Sequence, residues 1–154
     1  RVLGEEEAAL NWTGTPPFTD IAHGSLSEHY VGYALEKGYT NGYTATLFKP
    51  DLAVTANQYM EFMLRALGYS STAITNISDA LDRAVTAGVL TAGERTALQS
   101  SDFLRADVAY LSYYAISART SGGAALSQKL IDAGVFTAAD YRAAQAMGTT
   151  DRLA

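Results

Sequence analysis

Arg105 is the residue in this chain best placed to do chemistry. It stands in Leu104-Arg105-Ala106-Asp107-Val108, at the start of an apolar-periodic segment, so a guanidinium would sit beside the unpaired N–H groups of a helix start. A guanidinium fork with such donors suits a carboxylate. Asp107, in the same turn, is favoured there by the helix dipole, and the pair reads equally as an ordinary exposed helix start. An earlier segment, Thr55-Ala56-Asn57-Gln58, repeats the arrangement with neutral side chains, and Ala56 takes the place of the arginine. Thr55 and Gln58 have capping-box spacing, which makes Thr55 a helix cap before it is a ligand contact. Thr55, Asn57 and Gln58 could still offer neutral hydrogen bonds to a ligand.

Catalytic patterns are not found. Ser25 follows His23-Gly24 without a Gly-x-Ser-x-Gly elbow, and the chain has no His-Glu-x-x-His, no phosphate loop and no cysteine. A carboxylate pair that meets only in space is left open by spacing, and nothing singles one out. The expectation is a protein that is not an enzyme and takes no cofactor. His23 and His29 are isolated imidazoles without further ligands at metal spacing, so no metal is expected. Tyr30, Tyr59, Tyr113 and Tyr114 read as packing residues, and Glu5-Glu6-Glu7 as a solvated helix start.

Bulk composition narrows the class. The 154 residues are 48% hydrophobic and 18% charged, which is a folded composition with enough apolar surface for a core. The net charge is -5 with 11 Lys and Arg spread thinly, which excludes the basic footprint of a nucleic-acid binder. No apolar run approaches the ~20 residues of a membrane span, so no membrane insertion is expected. The chain opens at Arg1 and is expected to be a mature or excised fragment.

The elements that would carry these residues recur with a period of about fifty. Apolar segments run into Gly38, Gly88 and Gly134, in Ala-Leu-Glu-Lys-Gly-Tyr, Ala-Val-Thr-Ala-Gly-Val and Leu-Ile-Asp-Ala-Gly-Val. Ser27 is expected to cap a helix over 28–37 with Tyr30, Tyr33, Ala34 and Leu35 on one face. Thr55 begins one to about residue 67, its stripe made by Tyr59, Phe62, Met63, Ala66 and Leu67. Ser78 or Asp79 starts a helix to Gly88, and Thr91 with Glu94 caps a short one to residue 98. Further helices are expected over 104–117, through Leu104, Val108, Leu111 and Ala115, over 125–133, and from Thr137 with Asp140 to Met147. A short acidic helix over Glu5–Trp12 precedes them, with Ala8, Ala9, Leu10 and Trp12 able to dock.

These residues resemble the S-layer homology domain, a repeat by which bacterial exported proteins hold the cell wall without covalent linkage. The first copy supplies Phe18-x-Asp20, Tyr30, Gly38, Gly42, Phe48-Lys49-Pro50, Thr55 and the apolar stripe to Leu67. The second lacks Phe-x-Asp and Phe-x-Pro, with Ala80 in place of the aromatic. Its Leu104-Arg105-Ala106-Asp107 nevertheless follows the family's Thr-Arg-Ala-Glu-like turn better than Thr55-Ala56-Asn57-Gln58 does. The third stops after its Gly and a short helix.

The resemblance implies an all-α fold, a pseudo-threefold bundle of S-layer-homology-type helix-loop-helix repeats in one module spanning 1–154. Repeat 1 would cover 14–70, repeat 2 71–120 and a partial repeat 3 121–148, with 1–13 an N-terminal helix or linker. It further implies a non-catalytic module on the extracellular face of a bacterial cell wall that binds an anionic secondary cell-wall polysaccharide, often one carrying a pyruvate ketal. The glycan-binding residues would be Asp20, Tyr30, Thr55, Asn57, Gln58, Arg105 and Asp107. The alternative is a degenerate repeat module that has lost the glycan and serves as a structural or protein-interaction part of a larger exported protein.

Overall fold

A computed structural model describes residues 2–69, 77–147 and 152. Those residues are all-α: α1 (Glu6–Leu10), α2 (Leu26–Glu36), α3 (Ala56–Ala66), a 3-10 turn (Ile77–Asp79), α4 (Ala80–Thr86), α5 (Ala92–Ser100), α6 (Arg105–Ala115), α7 (Leu126–Asp132) and α8 (Ala138–Met147). One isolated antiparallel bridge joins Arg119 to Ala125. Among the described residues no helix is long and apolar enough to cross a membrane. The expected repeat boundaries at 70/71 and 148 lie outside the described residues. The chain forms two compact units, Arg1–Ala53 and Val54–Ala154.

One local device ends four of these helices. Gly38, Gly68, Gly88 and Gly134 all adopt positive φ. The N–H of the next residue turns back in each case: Tyr39 to Ala34 O, Tyr69 to Leu64 O, Val89 to Ala84 O and Val135 to Leu130 O. This is the Schellman closure, which needs a residue without a Cβ penalty in the left-handed region. Helix starts are equally local. Thr55 with Gln58 and Thr91 with Glu94 form reciprocal capping boxes, and Thr137 with Asp140 exchanges the same two bonds. Helix α2 starts earlier than expected, because Ser25, and not Ser27, accepts from the Glu28 N–H at 3.2 Å.

In the first unit Phe18, Ile21 and Val31 are buried, with Leu35 and Phe48 packed against them. Phe18 and Phe48 rings meet at 5.6 Å. Asp20 fastens the same two loops, its oxygens accepting from the Phe48 N–H at 2.9 Å and the Lys49 N–H at 2.7 Å. The second bond holds Lys49 at φ 61, an unfavourable conformation for a side-chain-bearing residue. The Phe48 N–H leads in holding the Asp20 carboxyl below its ordinary value. Asp20→Ala is expected to lower the melting temperature of this unit by several degrees, with Asp20→Asn intermediate because its single carbonyl oxygen cannot serve both N–H groups. Thermal unfolding followed by circular dichroism checks this, and an unchanged melt would remove Asp20 as a brace.

The N-terminal segment docks on α2 within that unit. Trp12 donates its indole N–H to Glu36 at 2.7 Å, and its carbonyl meets His29 Nδ1 at 2.7 Å. The acidic run is not simply solvated: Glu5 accepts from the Tyr39 hydroxyl and Glu6 from the Tyr30 hydroxyl. Of the residues expected to dock, Ala9 is buried, whereas Leu10 stays 43% exposed.

In the second unit the buried face of α3 consists of Ala56, Met60, Glu61, Met63 and Leu64, continued by Leu67. The expected stripe shared Met63 and Leu67 but included Phe62, which is exposed. Leu104 is also exposed, being the residue before the first turn of α6, whereas Leu111 and Ala115 are buried as expected. Hydrogen bonds link α3 to α6 and the turns that follow the two helices. From the first half of α3 the Tyr59 hydroxyl bonds Ser112 Oγ, in the second half of α6, at 2.5 Å; beyond the ends of both helices Ser121 N–H reaches Leu67 O and the Tyr69 hydroxyl reaches Arg119 O. The sequence period is therefore a physical adjacency, since Tyr59 to Val108 and Tyr69 to Arg119 span 49 and 50 positions.

Candidate functional site

The first turns of α3 and α6 bring five of the seven expected site residues into one unit. Thr55, Asn57 and Gln58 open α3, and Arg105 and Asp107 open α6. Between them, the Tyr59 ring packs 5.6 Å from Phe103 and its hydroxyl lies 3.4 Å from Val108 O.

Most of the acceptor capacity on the α3 side is committed to structure. Thr55 Oγ1 accepts from the Gln58 N–H at 3.2 Å and Gln58 Oε1 from the Thr55 N–H at 3.0 Å. Asn57 Oδ1 accepts from the Leu81 N–H at 3.2 Å, which ties α3 to the start of α4. The amide NH2 groups of Asn57 and Gln58 remain as donors. Ala56 itself is buried and brings no polar group.

Helix α6 differs. Asp107 turns back, accepting from the Leu104 N–H at 2.7 Å. Leu104 has no side-chain acceptor of its own, so only half of a capping box is made. Arg105 is exposed and makes no ion pair among the described residues. Its guanidinium therefore presents N–H donors at a helix start whose acid is turned onto the Leu104 N–H.

Asp20 and Tyr30 lie in the first unit. Both Asp20 oxygens serve the Phe48–Lys49 turn, and the Tyr30 hydroxyl donates to Glu6 at 3.1 Å. The two histidines are likewise placed: His23 Nδ1 meets Glu28 Oε1 at 2.9 Å, and His29 meets the Trp12 carbonyl. No group of three or more His, Asp or Glu side chains gathers as a metal site among the described residues.

Residues 17–55 match the family model of the S-layer homology domain. They are an S-layer homology segment. No curated protein and no solved structure shows a significant match to the chain. The S-layer homology segment takes in the Phe18–Asp20–Phe48 brace, α2 and the Gly38 closure, and ends at the Thr55 cap. Its match gives the protein a cell-surface attachment module in general terms and a bacterial cell-surface association.

Two polar centres escaped the sequence reading. Glu61, with a side chain 2% exposed, is held by Arg65 at 2.8 Å and by Arg83 from α4. Glu94, beyond its cap, pairs with Arg152. The Glu61–Arg65 spacing of four was a readable signal on a helix. Burial of Glu61 and the choice of Arg83 and Arg152 were not.

Proposed function

We propose that this chain is a non-catalytic attachment module that holds an anionic secondary cell-wall polysaccharide at the start of α6. Arg105 supplies the guanidinium fork for a sugar-borne carboxylate, such as a pyruvate ketal, and the first-turn N–H groups of α6 add donors. The single observation that carries the reading is that Arg105 is exposed and unpaired among the described residues while Asp107 is turned onto Leu104. The Asn57 and Gln58 amides, on the neighbouring helix start, are neutral donors to the same ligand. The three-repeat division and the pseudo-threefold packing of its helices belong to the same proposal. Retention on the wall then relies on several weak grooves or modules acting together.

Arg105→Ala is expected to weaken retention on purified cell-wall sacculi roughly tenfold or more, the effect of losing a charge-assisted hydrogen bond. A pull-down of both proteins, repeated in rising salt, measures it. Equal and negligible retention would defeat the reading.

A second reading has its own support. In the first repeat Asp20, Thr55 and Gln58 spend their acceptors on backbone N–H groups, and Ala56 replaces the cation. A module degenerate in glycan binding would then serve as a spacer or a protein-interaction part of a larger exported protein. Binding to a protein partner, with no glycan affinity at low salt, favours this one.

A further inference from the structure

We propose that Glu94, Tyr110, Tyr114 and the Val89 carbonyl form a preformed guanidinium socket, filled here by Arg152 acting as a latch. The cation enters as a fork. Its Nε donates to Glu94 Oε1 at 2.8 Å, and one terminal nitrogen donates to Glu94 Oε2 at 2.6 Å and to Val89 O at 2.8 Å. The guanidinium carbon lies 5.0 Å from the centre of the Tyr114 ring. Two parallel acceptors met by one planar fork, with an aromatic face alongside, suit a guanidinium better than a point-charge ammonium.

The walls are set without Arg152. Glu94 is fixed by the capping box of α5, where it accepts from the Thr91 N–H at 2.8 Å, and it also accepts from the Tyr110 hydroxyl at 2.8 Å. Tyr114 is wedged edge-on between Tyr110 and Tyr113, with centroids 4.8 and 5.0 Å away. The Glu94 side chain is 1% exposed, so a buried carboxylate awaits its counter-ion. The capping box of α8 is the internal contrast: its Asp140 is exposed and takes no ion pair among the described residues. Arg152 is 58 positions from Glu94, so the latch ties a residue beyond α8 back to α5.

Chemical rescue tests the socket. In the full chain, Arg152→Gly is expected to lower the melting temperature by several degrees, and low-millimolar ethylguanidinium to restore most of that loss. Ethylammonium should restore less, and wild type, its socket already occupied, should not respond. Arg152→Lys, the milder variant should the glycine form fail to fold, is expected to lie between the two and to gain from ethylguanidinium as well. The proposal is overturned if Arg152→Gly melts like wild type, if ethylguanidinium shifts all proteins alike, or if adding Glu94→Gln leaves the rescue intact.

Discussion

Glu61→Ala is expected to destabilise the second unit by roughly 3 kcal/mol, because removing one member of a buried ion cluster strands the others. For a unit of this size that is a fall of about 12–24 °C in melting temperature. The carboxylate is buried on α3 and accepts from Arg65 Nε on its own helix and from Arg83 on α4. Arg83 also holds Asp79 at 3.0 Å, so the cluster fixes the entry to α4. Alanine leaves the largely buried Arg65 without its acceptor, whereas Glu61→Gln keeps an acceptor and should lose less. Differential scanning calorimetry decides between these, and a wild-type melt for Glu61→Ala would show the cluster to be energetically neutral.

The same cluster gives a direction to acid sensitivity. Burial pushes the Glu61 carboxyl up, but Arg83 and Arg65 together outweigh it and hold it below the ordinary value of 4.5. Glu94 behaves alike, with burial outweighed by Arg152, the Thr91 N–H and the Tyr110 hydroxyl. A carboxyl whose folded value is depressed stabilises fully above its unfolded value and loses that contribution as pH falls through the folded one. Melting temperature should therefore fall on acidification below pH 4.5, and less steeply in Glu61→Ala than in wild type.

Gly32→Ala is the second large effect, and its sign opposes helix propensity. Gly32 lies within α2, where alanine alone would add up to about 1 kcal/mol. A Cβ at that position, however, would run into the six-membered ring of Trp12. Overpacking costs about 1–3 kcal/mol, and a contact this close belongs at the upper end, so about 2 kcal/mol of net loss is expected after the propensity gain. Gly14, on the other side, sets the same limit, since a Cβ there would lie 2.6 Å from the ring. Trp12 is the chain's single tryptophan, so its fluorescence reports the docking directly. The expected result is red-shifted emission with a lower melting temperature. A higher melting temperature with unchanged emission would show that Trp12 does not rest on α2. Deleting residues 1–13 should likewise lower the melt of the first unit.

Legibility from sequence followed the range of the interaction. Thr55, Thr91 and Thr137 cap residues three positions away, and the glycines at 38, 68, 88 and 134 close helices through bonds five positions long. Such contacts are complete within a single turn, so residue type at fixed spacing predicts them. The α3 stripe was harder. Tyr-Met-Glu-Phe-Met-Leu is apolar on more than one side, and which side is buried depends on what packs against it. Burial selected Met60 and Leu64 and left Phe62 out. For the candidate site, Arg105 at a helix start was readable, whereas its lack of an ion pair among the described residues was a matter of which acids other segments bring near.

The sequence by itself determined the all-α class, most of the helix ends, the S-layer homology segment and the helix-start position of Arg105, since each rests on neighbours within one turn or on a motif in one stretch. Only the tertiary structure decided which N–H groups Asp20 braces, that Glu61 and Glu94 are buried against Arg83 and Arg152, and that Tyr59 on α3 bonds Ser112 on α6. Those outcomes join residues 22 to 58 positions apart. A buried carboxylate takes whichever guanidinium the fold delivers, and nothing in its own sequence neighbourhood specifies which.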